Sequence, residues 1–479
     1  MFLFVLIFFI SLTCYVHFRY KRKHLYKLSD SIPEIGGLPV IGHTHWFIGG
    51  PEKIMGNLKQ LAELIEEKGG TSQLWIGPNM YYATYNLDDT QMILENCLEK
   101  DYSYKFLRPW LGNGLFVAPV SIWRNNRKVL VPIFHRRLIS EFVVIFGQQA
   151  QVLAKSLLEH TGRQFDIYPY ITSCMLDIVF ESAMGQQMRV QNNVDVPYVR
   201  ARNCIMEIIN MRIFKVWLQP EPLFKLTSYS KKQKENIAFT HNFTENVRLS
   251  FTALFHATGH KDLLDQLIES NHFNDEQLRE TIDSITVAGN DSTALVTSYT
   301  LVLLGHHPEH QQRVYDELRS IFGDSKRPTN RDDMQKMEYL DRVIKETLRL
   351  HTIVPVLGRE TDKELKLTSC TLPAGVGCVI PSFAIHRSKR LWGPTANEFD
   401  PDRFLPERSE GRHPCAYIPF SYGSRNCIGR QFGVFAVKCL VSTLLRNFKV
   451  KSEPIDRFKI QLLLFPVNGH LITLEKREL

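Results

Sequence analysis

Residues 420–436 read FSYGSRNCIGRQFGVFA, a glycine-punctuated loop that presents Cys427 and runs directly into an apolar helical pattern. Gly423 and Gly429 supply positions where φ can be positive or where the backbone can approach a flat partner closely. Arg425, two residues before the cysteine, carries a cation beside it. Loop N–H groups and the N-terminus of a helix starting near Ile428 favour an ionised sulfur, the form that binds metal. Taken alone, a cysteine of this kind is more commonly a buried and inert thiol. The pattern around it argues otherwise.

Spaced as Phe420-x-x-Gly423-x-Arg425-x-Cys427-x-Gly429, the loop resembles, at every fixed position, the haem-binding loop of the cytochrome P450 superfamily. The resemblance makes Cys427 the axial thiolate ligand of haem iron. Upstream, Glu346-Thr347-Leu348-Arg349 is similar to the family's helical E-x-x-R pair, and Pro401-Asp402-Arg403-Phe404 to its P-E-R-F segment. Glu346, Arg349 and Arg403 would then form a buried network of two arginines and one carboxylate, which is costly unless fully hydrogen-bonded. Without the other motifs, Glu346 and Arg349 would read as a surface i,i+3 pair.

The chain has 479 residues, 44% hydrophobic content and a formal net charge of +8, enough for one large catalytic domain. Nine cysteines, an odd number with no C-x-x-C pair, argue against a secreted disulfide framework and against structural zinc. Residues 1–18 lack Lys, Arg, Asp and Glu, and Arg19, Lys21, Arg22, Lys23 and Lys27 follow at once. This reads as an uncleaved transmembrane anchor with everything after it in the cytosol. Residues 19–50 form a basic, proline- and glycine-rich hinge, and 51–479 the haem domain. Two glycosylation patterns, at Asn242 and Asn290, read as chance matches. No nucleic-acid motif is present.

Periodicity indicates a mainly α chain with a small β region. A hairpin is expected over 73–85, broken at Gly77-Pro78, and further helices over 308–318 and 337–351. A long helix should start at Asn274, capped reciprocally by Gln277, and stop before Pro308. At its centre, Ala288-Gly289-Asn290-Asp291-Ser292-Thr293 contradicts local helix propensity, which points to function. The segment resembles the family's oxygen-binding groove, with Asp291 as the acid and Ser292 where most members carry threonine. Thr293 would point elsewhere on the helix. Ala288 stands where many ω-hydroxylases of the microsomal, family 4-like branch carry the glutamate that esterifies haem, so no covalent link is expected there.

Trp123 and Arg127 share one helix face and match the family's W-x-x-x-R pair for a haem propionate. Arg359 matches its second propionate-binding arginine. Arg124, Lys128, Arg136 and Arg137 remain for a partner surface or for solvent. Substrate-contacting segments fall by family analogy near 101–120, 200–220 and 462–468. The resemblance therefore implies a P450 fold binding haem b, non-covalently apart from the Cys427 thiolate–iron bond. It implies a monooxygenase at the cytosolic face of the endoplasmic reticulum membrane, acting on O2 and a small apolar substrate such as a fatty acid, hormone-like lipid or xenobiotic. The chain shows no nucleotide-binding motif of its own, so electrons must come from NADPH-cytochrome P450 reductase, with cytochrome b5 as a second donor. The competing readings are a reductase-independent isomerase or dehydratase, and a non-catalytic haem-binding protein.

Overall fold

The computed structural model describes residues 2–38, 41–77, 79–134, 136–192, 196–254 and 263–477. Helix α1 (Phe2–Lys21) comes first, and the site is positioned by strands β1 (Thr71–Ile76) and β2 (Asn79–Thr84), and helices α2 (Val120–Ile133), α3 (Arg136–Ser156), α4 (Tyr168–Met184), α5 (Pro197–Phe214) and α6 (Ser228–Leu254). These are followed by helices α7 (Asp275–His306), α8 (Pro308–Phe322) and α9 (Glu338–Leu350), strands β3 (Leu357–Glu360) and β4 (Gly377–Ile380), and helix α10 (Arg430–Asn447). The expected turn proline Pro78 and the hinge residues Pro39 and Val40 lie outside the described residues, as do the side chains of Arg136 and Arg137.

The long central helix α7 begins where its capping chemistry dictates. The Asn274 side chain accepts from Gln277 N at 2.9 Å, and the Gln277 side chain accepts from Asn274 N at 3.0 Å. At its far end Pro308 opens α8, since proline cannot continue the hydrogen-bond ladder but suits a first turn. Helix α7 packs on α4 and α10, and α3 packs on the other sides of both, so four helices make a continuous apolar body. Phe146 of α3 meets Phe432 of α10 edge-on, with ring centroids 4.9 Å apart.

The small β part includes a four-stranded sheet in the order β1-β2-β4-β3, beside a three-stranded and two two-stranded sheets. β1 and β2 form the expected hairpin, β4 joins β2 in parallel, and β3 closes the edge antiparallel to β4. This register sets Arg359 opposite Cys378. The hinge is tied to the sheet: Ile32 and Ile35 are buried, and Pro33 O accepts from Gln73 N and Ser72 Oγ, each at 2.9 Å. Helix α1 runs three residues beyond the expected anchor, and its Phe4–Lys21 stretch is long and apolar enough to cross a membrane.

Candidate functional site

Between α7 and the 420–429 loop lies an apolar cavity of about 530 Å³. Cys427 opens into it, so its sulfur is accessible from within while surrounded by protein. The loop is folded by internal bonds: Cys427 N donates to Phe420 O at 2.9 Å and Asn426 N to Gly423 O at 3.1 Å. Gly423 has φ +71°, and a side chain there would strike the Leu94 carbonyl. Gly429 has an ordinary φ of −87° as the cap of α10, which leaves close backbone approach as its use. The second left-handed residue is Ser421, at φ +61°.

Burial pushes the Cys427 thiol up, opposed by the Gly429 backbone N–H and by Arg127 and Arg430. Arg425 is absent from that support, contrary to the sequence expectation. Its guanidinium turns away to donate to the carbonyls of Leu98, Leu115 and Ala118, at 2.9, 3.4 and 2.6 Å, with its charge 4.2 Å above the Trp123 ring. Residues two apart in a tight loop face opposite ways. Arg127 reaches the loop from α2, donating to Asn426 O at 2.8 Å and to Asn426 Oδ1 at 2.5 Å.

One side of the cavity is a fringe of cations. Arg359 is fully buried, donates to Gly358 O and Ser421 Oγ, and keeps Nε without a partner. Lys100, which sequence reasoning missed, lies against Tyr104 and Phe116. Burial first, then Arg359 and Arg425, hold its ammonium well below the usual lysine range. Burial lowers Arg425 to about 10. Asp101, buried beside them, offsets part of this charge, and the cations that remain in excess repel one another unless a further anion sits among them.

Opposite the sulfur, Ala288, Gly289, Ser292 and Thr293 of α7 face the same cavity. Ser292 Oγ donates to Ala288 O at 2.7 Å, a back-bond that sets its rotamer without threonine's methyl group. Thr293 Oγ1 lies toward Gly433 on α10. Asp291 is held: Arg202 of α5 pairs with its Oδ1 at 3.0 Å, and Tyr168 donates to the same oxygen at 3.2 Å. Both members of this ion pair are buried. Arg202 was legible in principle, because it stands in the apolar stripe that Tyr198, Ile205 and Ile209 make along α5. Asn290 is fully buried, which leaves no access for a glycan.

Behind the cysteine loop, Arg349 donates from Nε and Nη2 to the two Glu346 oxygens, both at 2.7 Å. It also donates to the carbonyls of His386, Ala396 and Glu398. Arg403 Nε lies 3.4 Å from Glu346 Oε1, and its other nitrogens bond Trp392 O and Thr395 Oγ1. His386 joins two segments, through Nδ1 to Thr352 Oγ1 and through Nε2 to Ile418 N, each at 2.8 Å. Of the expected substrate segments, Tyr104, Phe116, Met206, Phe214 and Leu462 line the cavity.

The family model for Cytochrome P450 matches residues 33–473. The chain belongs to the cytochrome P450 family. It is 33% identical to Cytochrome P450 4c3 of Drosophila melanogaster over 96% of this chain and 91% of that one. It is 36% identical to Cytochrome P450 4V2 of Homo sapiens over 85% and 82%. The solved haem domain of cytochrome P450DA superposes with a TM-score of 0.82 at 23% identity, covering 93% of this chain and 98% of that one. This P450 is a family 4-like monooxygenase, and haem iron is the cofactor its family implies. The residues present fit that group: a thiol on one face, the Gly289-bearing helix on the other, and a fringe with cations in excess, suited to a flat macrocycle with acidic side arms.

Proposed function

We propose that this P450 is a membrane-anchored haem-thiolate monooxygenase that inserts one atom of O2 into a C–H bond of an apolar substrate. The observation that carries the reading is the Cys427 sulfur opening into an apolar cavity roofed by Ala288, Gly289, Ser292 and Thr293 of α7. Cys427 would hold haem b through its thiolate, and the group would supply activation of dioxygen. Trp123, Arg127, Arg359, Arg425 and Lys100 hold its acidic arms, and Phe420 and Gly429 leave room on the cysteine side. Ala288 offers no carboxylate for an ester link.

Asp291 carries protons to the cavity, and the Ser292 hydroxyl, held on Ala288 O, orients water for the last transfer. The apolar walls exclude bulk water and select an uncharged C–H-rich substrate portion. Electrons come from NADPH through the P450 reductase, whose acidic face docks on Arg124, Lys128 and Arg430, with cytochrome b5 as an alternative donor. Helix α1 anchors the chain in the endoplasmic reticulum membrane, with the domain on the cytosolic face.

The test is the Soret band of the reduced protein under carbon monoxide, compared with Cys427→Ala. A far-red-shifted band that requires Cys427 supports the assignment. A normal, histidine-like band unchanged by the substitution refutes it. Product formation without NADPH and reductase would instead favour the isomerase or dehydratase reading.

A further inference from the structure

Along the N-terminal half of α7, Arg279, Asp283, Thr286 and Asn290 recur at spacings of four, three and four. Those spacings place them in one stripe on the helix surface. The stripe is interior: Asp283, Thr286 and Asn290 are at most 2% exposed. It also carries more polar atoms than the protein satisfies. Neither end of the Asn290 amide, nor the Thr286 hydroxyl, nor Asp283 Oδ2 has a hydrogen-bond partner. Thr244 of α6 donates to the other Asp283 oxygen at 2.7 Å. Arg279 and His241 stand 3.6 and 3.8 Å from Oδ2, within ion-pairing range but beyond direct hydrogen bonding. Across from the stripe, Arg202 ion-pairs with Asp291 through one nitrogen and leaves Nε and Nη1 unpartnered.

Buried polar groups are almost always hydrogen-bonded, so a line of orphaned atoms marks where ordered water completes the bonds. At 3.6–3.8 Å the Arg279 and His241 contacts leave Asp283 Oδ2 free to accept from water. At one end of the line Arg279 and His241 are 19% and 23% exposed and reach solvent. Past the other end, about 12 Å along the axis from Asp283 and about 100° round the helix from Asn290, stands Asp291, held by Arg202.

We propose that this hydrated stripe is the proton supply line of the enzyme, with Asp283 as the relay that recharges Asp291. The inference rests on the reading of Asp291 as the acid that serves the cavity. A proton leaves the Asp283 carboxyl for the first water, passes along the waters held by Thr286, Asn290 and Arg202, and reaches the Asp291 carboxylate. Asp283 regains one from solvent at the Arg279 and His241 end. No electron moves, and the net transfer is one proton inward. Burial raises Asp283 to about 7, against the Thr244 hydrogen bond and Arg279 and with Glu280 and Glu245. Tyr198 of α5 and His241 of α6 also face it. At neutral pH the group can therefore both give and regain a proton.

The full-length, haem-loaded protein tests this with two readouts. In infrared spectra, a carboxylic acid C=O band should titrate near neutral pH and disappear in Asp283→Asn. With reductase, NADPH and lauric acid as probe substrate, Asp283→Asn should lower product formed per NADPH by at least about tenfold and enlarge the D2O effect, and Asp283→Glu should restore both. Thr286→Val interrupts the stripe without touching a charge and should lower the same ratio, which covers a poorly folding Asp283 variant. If both variants match the wild type while Asp291→Asn still lowers the ratio, the route is wrong and the acid stands. If Asp291→Asn has no effect, the reading of Asp291 falls, and the supply line with it.

Discussion

Replacing Glu346 with glutamine keeps the shape of the site and removes one charge. Oε1 accepts from Arg349 Nη2 at 2.7 Å and from Asp400 N at 3.0 Å, and lies 3.4 Å from Arg403 Nε. A glutamine oxygen placed there retains those three contacts. The amide NH2 then replaces Oε2 and faces Arg349 Nε, a donor against a donor where a 2.7 Å charge-assisted bond had been. Losing that bond costs about 1.5–3 kcal/mol. Arg349 then lacks a counter-charge while Arg403 keeps Asp400, 4.0 Å from its Nε, which brings the total to about 3–5 kcal/mol with three carbonyls still holding Arg349. Against a typical total stability of about 5–15 kcal/mol, this is a large fraction. Urea unfolding of the haem-loaded protein, followed by far-ultraviolet circular dichroism, measures it. A double-mutant cycle with Arg349→Met should show the pair costing less to remove together than either partner alone. A Glu346→Gln loss below about 1 kcal/mol would refute the view of the network as a charge-balanced unit.

Three further outcomes are expected. Burial, reinforced by Arg349 and Arg387, holds His386 at about 3, so the folded imidazole stays neutral; its contribution is fully present above the unfolded value of about 6.5 and is lost at about 1.4 kcal/mol per pH unit below it. Unfolding midpoints between pH 7 and 5 should therefore fall less steeply in His386→Gln than in wild type, and parallel curves would contradict this. Gly423→Ala forces a left-handed residue and a clash with the Leu94 backbone, so it should cost at least about 2 kcal/mol and lower the haem content of purified protein. Ser292→Ala removes the hydroxyl held on Ala288 O and should divert NADPH electrons to hydrogen peroxide; unchanged coupling would show that the hydroxyl is idle.

The fold and much of the site were legible because their determinants are local. Asn274, Gln277 and Pro308 bracket α7 through capping and ring chemistry that the next few residues decide. Glu346 and Arg349 meet because three residues span one helical turn. Arg425 misled because the loop's torsions determine which way a side chain turns, and those follow from Gly423 and Ser421 being left-handed. Lys100, Tyr168 and Arg202 act at the site only through packing of distant segments, so nothing in their own neighbourhoods announces Lys100 or Tyr168. The hinge read as a connector because prolines and glycines signal turns. Its attachment to β1 depends on Gln73 and Ser72, about forty residues away.

Arg425 also bears on the order in which the chain matures. Its three acceptors lie 327, 310 and 307 residues upstream, so the cysteine loop, though folded by its own bonds, is tied to the rest of the domain only after most of the polypeptide has been made and brought back on itself. Contacts of such long range form late, after the local helices and the N-terminal hairpin. A nascent chain emerging from the ribosome therefore fixes its sulfur site against the domain only once Arg425 has been made. Chains truncated before Arg425 lack the three bonds that hold the loop against the Leu98–Ala118 segment.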